Sequence, residues 1–124
     1  MTDFVLEPMV YLAGPYTNPD PVANTSHAIT VANYIEEMFG VAVVVPHLTL
    51  LSHLIIPRNI DHWYAYDLQI LARCDALVRI PGASTGADNE VEFAKGRGIP
   101  VFFSDQKNFA NELRTYCTTI FGAP

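Results

Sequence analysis

The feature that most constrains this chain is an alternation. Short apolar runs of strand length take turns with longer segments whose apolar residues recur every three or four positions. That is the pattern of parallel strands joined by crossover helices. Met9 to Ala13 reads as the first strand, ended by Gly14-Pro15. Tyr16 to Pro21 is too rich in Pro and Asn to be regular. Val22 to Phe39 follows as a helix, with Ala28, Val31, Ala32, Ile35 and Met38 on one face and Gly40 as its stop. Val41 to Val45, β-branched and apolar, reads as a strand covered on both sides.

Pro46 to Asn59 is a long, mostly apolar connection with room for a short helical turn; loops of this length in small domains serve as lids or contact surfaces. Asn59 or Asp61 caps a helix running to about Arg73, with Tyr64, Leu68 and Leu71 inward. Ala76 to Ile80 is the third strand. A small-residue loop, Pro81 to Gly86, leads to a helix from about Ala87 to Lys95, and Ile99 to Phe103 is the fourth strand. Lys107 to about Cys117 is the last helix, and Thr118 to Phe121 has the composition of a brief fifth strand. The expected product is an α/β, three-layer flavodoxin- or Rossmann-like sandwich with a four- or five-stranded parallel sheet. Ligands of such sheets bind outside the carboxyl ends of the strands, where strand order reverses between the first and third. The loops after Ala13 and Ile80 should therefore build the site.

Composition narrows the function. With 124 residues the chain suits one domain, 1–124. Seven basic against thirteen acidic residues give a net charge of −6, a poor match to a nucleic-acid polymer. No apolar run is long enough for a membrane span. Met1-Thr2-Asp3-Phe4 lacks the segments of a secretion signal, and Cys74 and Cys117 have no metal-ligand spacing. A cytoplasmic setting with reduced thiols is expected.

Candidate chemistry gathers at the predicted switch point. In Ser84-Thr85-Gly86-Ala87-Asp88-Asn89-Glu90, small residues let a ligand approach the backbone, and a helix start offers free N–H groups to an anion. Asp88 suits a helix cap. Glu90 and Glu92, two apart, cannot share a helix face; Glu90 belongs at the strand-end rim beside Val91 and Ala94. Asp67 interrupts an apolar helix and reads either as an exposed acid or as a partly buried carboxyl of raised pKa. Tyr11 either packs in the core or turns its hydroxyl toward a carboxylate. Two carboxyls in unlike environments facing one ligand suit glycosyl transfer, one attacking the sugar carbon and the other protonating the leaving group.

Three motifs together carry a resemblance. Tyr11-Leu12-Ala13-Gly14-Pro15, Asp67-Leu68 shortly before Cys74-Asp75-Ala76-Leu77-Val78, and Ser84-x-Gly86-x-x-x-Glu90 followed by Ala94 resemble the nucleoside 2-deoxyribosyltransferase superfamily, in particular its 2′-deoxynucleoside 5′-phosphate N-hydrolase branch. The resemblance covers about residues 9 to 103. It implies Glu90 as the nucleophile at C1′, Asp67 as the acid assisting base departure, and Tyr11 as the group orienting Glu90. It further implies ligand contacts from His47 and Ser84, and the other candidate binding residues in the same loops are Gly14, Thr17, Asn18, Thr85 and Gly86. No metal or organic cofactor is implied. The partners expected are a small nucleotide or nucleoside and further copies of the chain, as a homodimer or larger homo-oligomer.

Ser84, where transferases acting on uncharged nucleosides have Asp, favours hydrolysis of (2′-deoxy)ribonucleoside 5′-monophosphates, since a carboxylate would repel phosphate. Base exchange by a transferase and a non-catalytic nucleotide-binding module are the alternatives. The branch's phosphate-gripping serine and arginine are absent: Pro15 and Thr17 stand in their places, so a phosphate would rely on Thr17, Asn18, Ser84, Thr85 and backbone amides. Arg58 reads either as a solvated surface residue or as one reaching in from the long loop. Asp75, before the third strand, reads as structural. The four histidines lack a metal-binding spacing. Leu48 to Ile56 is more apolar than a small monomer readily leaves exposed.

Overall fold

Apolar residues at nearly every strand position call for cover on both sheet faces, and the helices supply it. The computed structural model describes residues 3–121. Its elements are β1 (Met9–Ala13), α1 (Pro21–Phe39), β2 (Ala42–Val44), a 3₁₀ turn (Pro46–Thr49), α2 (Leu50–Ile55), α3 (Ile60–Leu71), β3 (Ala76–Arg79), α4 (Thr85–Gly96), β4 (Val101–Phe103) and α5 (Phe109–Phe121). The four strands form one parallel sheet in the order β2-β1-β3-β4. Strand order reverses between β1 and β3, as expected, and their carboxyl ends open the crevice.

Strand alternation sorts the core into two layers. Val10, Leu12, Ala76, Val78 and Ile80 face α1 and α5, meeting Ala28, Ala32, Ile35, Phe109 and Leu113. Tyr11, Ala13 and Leu77 face the other way, toward Leu71, Ala87, Val91 and Ala94 of α3 and α4. Asp20 caps α1 by accepting from the Ala23 N–H at 3.1 Å, and Gly40 ends it in the left-handed conformation at φ 63°. At the amino ends of the strands Asp75 accepts from the Met9 N–H at 2.8 Å, while its carbonyl accepts from the Tyr116 hydroxyl at 2.9 Å. Asp75 is a structural clasp.

Several expectations need correction. Thr118 to Phe121 forms no fifth strand; these residues are the last turn of α5. Phe109, Leu113 and Cys117, four apart, hold one face of that helix on the core, and the weak strand preference of Thr and Ile does not interrupt it. On α1 the buried stripe is Ala28, Ala32, Ile35 and Phe39, whereas Met38, rotated away from it, is 50% exposed. Helix α4 starts at Thr85, two residues earlier than expected, because Ser84 caps it by accepting from the Ala87 N–H at 3.1 Å. Asp88 is thus a first-turn residue. In the long connection, Leu48, Leu51, Leu54, Ile55 and Ile56 lie exposed. Among the described residues no helix is long and apolar enough to cross a membrane.

Candidate active site

The loops after β1 and β3 touch, and glycine permits it. A Cβ on Gly14 would sit 2.2 Å from Ile80 Cγ1; one on Gly82, whose φ is 125°, would sit 2.6 Å from Pro15 Cγ. Two side chains anchor the first loop from outside. His47, buried just beyond β2, donates from Nε2 to the Pro15 carbonyl at 2.9 Å. Since a carbonyl only accepts, this bond fixes the proton on Nε2. Asn24 of α1 donates from Nδ2 to the carbonyls of Tyr16 and Asn18, each at 2.9 Å.

On the α4 side of this seam the acids converge. Glu90, on the inner face of α4 and only 8% exposed, accepts a hydrogen bond at Oε2 from the hydroxyl of Tyr11, which is fully buried on β1. Burial pushes Glu90 up to about 7, while the Tyr11 hydrogen bond and the Arg79 cation pull against that rise. Asp67, projecting from α3, is also pushed up to about 7, first by burial and then by the negative charge of Glu90. Its Oδ1 is buried with no hydrogen-bond partner among the described residues. Burial, followed by the Glu90 and Asp67 charges, raises the Tyr11 phenol, so it stays a donor. Tyr64 of α3 is raised too, by burial and then Glu90. The α3 acid is therefore the partly buried carboxyl, not the exposed one. Chemically, the arrangement pairs a carboxyl supported by a donor and a cation with a second carboxyl whose Oδ1 has no partner among the described residues.

The other expected residues occupy different places. Ser84 is the α4 cap, and Thr85 and Gly86 lie exposed in the first turn beyond it. Thr17 and Asn18 are exposed on the first loop. Between the two loops, on the α1 side, lies a cleft of about 450 Å³ lined in part by Pro15, Asn18, Asn24, His27, Gly82 and Ala83. Tyr11, Asp67 and Glu90 are not among its lining residues. Nor is His47, which meets Pro15 from a buried position. Arg58 is exposed, and its N–H donates to His53 Nδ1 at 3.3 Å.

Sequence reasoning passed over two residues. Asn24 resembles any helix-surface amide, and only the fold shows the carbonyls it reaches. Arg79, 7% exposed, bonds the Ile80 carbonyl, the Gly82 carbonyl at 2.9 Å and Asp88 Oδ1 at 2.9 Å. A basic residue inside the apolar run Ala76-Leu77-Val78-Arg79-Ile80 was the available signal.

The fold has solved counterparts. A 2-desoxiribosyltransferase from Leishmania mexicana superposes with a TM-score of 0.57 at 17% identity, covering 77% of this chain and 63% of that one. A 2-deoxyribosyltransferase from Bacillus psychrosaccharolyticus gives a TM-score of 0.55 at 22% identity, covering 77% of this chain and 70% of that one. The chain thus spans under two thirds of the Leishmania protein's length, and what the two share with it is the fold. No curated protein sequence matches it. A sequence family matches residues 8–103, from just before β1 to the end of β4, and so takes in both loops and all three converging residues. The chain belongs to that family, described as "Domain of unknown function (DUF4406)".

Proposed function

We propose that this protein cleaves the N-glycosidic bond of a nucleotide or nucleoside, with Glu90 as nucleophile, Asp67 as general acid and Tyr11 as the residue that orients Glu90. The observation that carries the reading is the convergence of Tyr11, Glu90 and Asp67 at the sheet's switch point, with Asp67 Oδ1 buried and lacking a partner among the described residues. Glu90 attacks C1′ as the C1′–N bond breaks, and Asp67 gives its proton to the departing base. Water, deprotonated by Asp67, then opens the glycosyl ester and releases the sugar with Glu90 free again. The fold shared with two 2-deoxyribosyltransferases supports chemistry of this kind.

Hydrolysis of (2′-deoxy)ribonucleoside 5′-monophosphates is the favoured form. The uncharged Ser84 hydroxyl at the start of α4, beside the N–H groups of its first turn, is compatible with a phosphate. Base exchange by a transferase differs only in what resolves the ester. The reading includes self-association, supported by the exposed apolar side chains of 48–56, and a cytoplasmic setting, supported by the free thiols Cys74 and Cys117.

The test is to incubate the protein with each common deoxynucleotide and deoxynucleoside and to follow free base by chromatography. Release should occur and should vanish with Glu90→Ala; an undiminished rate in that variant refutes the mechanism. A second free base added to the mixture distinguishes exchange from hydrolysis. Binding by calorimetry without any base release would instead indicate a non-catalytic module. Ser84→Asp retains a good helix cap, so the fold survives. If phosphate sits there, the variant should lose preference for nucleotides over nucleosides.

A further inference from the structure

Among the described residues three polar side chains are buried: His47, Glu90 and Arg79. The first anchors a loop and the second is the proposed nucleophile. Arg79 has no part in the chemistry above, yet a buried guanidinium is costly unless fully bonded. It lies on β3 two residues beyond Leu77 and so on the same sheet face, toward α4. Register reinforces this: Tyr11 pairs with Leu77, and Ala13 with Arg79. Its two carbonyl bonds hold the turn after β3, and its ion pair reaches Asp88 in the first turn of α4, one half-turn before Glu90. The Asp88 side chain is 70% exposed against 8% for Arg79. Water therefore screens the anion more than the cation, and the buried side of the pair keeps a net positive field.

We propose that Arg79 is a positioning residue for the Glu90 carboxylate, clamping the β3–α4 loop to the first turn of α4 and setting a fixed positive charge on the sheet face where Glu90 lies. The proposal rests on the reading of Glu90 as nucleophile. The groups that face Glu90 are Tyr11 from β1, Asp67 and Tyr64 from α3, and Arg79 from β3; Asp88 of its own helix acts through Arg79. Arg79 is the only cation of that set, and its charge favours the ionised form of Glu90.

The test combines three variants with two readouts: the pH profile of kcat/KM, and the ¹³C NMR titration of the Glu90 carboxyl without substrate. Arg79→Gln should move the acid limb and the Glu90 midpoint upward by about one pH unit, costing about tenfold in rate at pH 6 and little at pH 9. Asp88→Asn breaks the same ion pair but leaves the cation, so both should move downward. A clamp with no electrostatic role would instead lower the rate equally at every pH in both variants. Arg79→Lys keeps the charge and loses the fork, so the midpoint should stay near wild type while kcat falls uniformly. A Glu90 midpoint unmoved in folded Arg79→Gln overturns the proposal. Should Arg79→Gln fail to fold, a rise of a unit or more in Arg79→Lys overturns it equally. If the wild-type protein releases no base from any substrate, the reading of the site fails, and the NMR titration still decides the role of Arg79.

Discussion

Replacing Glu90 with glutamine should make the protein more stable at pH 8 while removing its activity. The Glu90 carboxyl is nine-tenths buried and held near 7, against an ordinary 4.5. A folded value above the unfolded one means that the folded state holds the proton more tightly. Stability is therefore greatest below about pH 4.5, declines as pH rises toward 7 and is lowest above it. The gap of about 2.5 pH units, at about 1.4 kcal/mol per unit, corresponds to about 3 kcal/mol once the group is fully ionised. Glutamine keeps the volume and an acceptor for the Tyr11 hydroxyl but carries no charge. Relief of the repulsion on Asp67 adds in the same direction. For a chain of this size the gain at pH 8 amounts to roughly 10 °C in Tm, shrinking toward zero by pH 4. Thermal unfolding followed by circular dichroism at pH 4, 6 and 8 measures it. A glutamine variant no more stable than wild type at pH 8, or displaced equally at all three pH values, would refute the electrostatic argument.

Tyr11→Phe deletes the hydroxyl that donates to Glu90. The acid limb of kcat/KM should move upward by about one pH unit, the lower end of what a hydrogen bond to a charged group is worth, as a pH–rate series will show. Gly14→Ala drives a methyl toward Ile80 Cγ1 at 2.2 Å and Cδ1 at 2.5 Å and should cost about 1–3 kcal/mol in urea unfolding, with the Gly14→Ala cost smaller in an Ile80→Ala background, which lacks both atoms. Leu54→Glu puts a charge into the exposed apolar stretch, where Leu54 is 67% exposed. Sedimentation should show a smaller species than wild type with little change in monomer stability.

The sequence was most informative where a period sets direction. Alternation along Met9–Ala13 put Tyr11 on one face and Leu12 on the other, and the helical phase of Glu90, Val91 and Ala94 turned Glu90 inward. These residues depend on local geometry alone. Asp67 stayed ambiguous because its burial depends on how closely α3 approaches α4 and β1, which no spacing within α3 specifies. His47 entered through the resemblance as a ligand contact, whereas the partner it meets in the structure is a carbonyl 32 residues away, which no local pattern specifies. Asp88 looked like the helix cap because Asp suits that position, yet Ser84, four residues earlier, does the capping. Arg79 was hidden by its neighbours, since four apolar residues around it satisfied the strand pattern.

Which of the two coupled carboxyls, Glu90 or Asp67, ionises first does not depend on the absolute values near 7. A buried carboxyl and a partly buried one whose charges are coupled titrate as a pair, and the first ionisation falls on whichever anion is better supported. Glu90 has the Tyr11 donor and the Arg79 cation; Asp67 has an oxygen with no partner and the Glu90 charge beside it. The first proton therefore leaves Glu90, and its departure strengthens the hold of Asp67 on the second. In the proposed mechanism that state, Glu90 ionised and Asp67 protonated, is the one from which cleavage would start. Burial alone raises both carboxyls and cannot distinguish them. The distinction comes from β1 and β3, through Tyr11 and Arg79, and both act on Glu90. A donor offered equally to Asp67 would divide the proton between the two sites and leave a share of the molecules with it on Glu90, the proposed nucleophile.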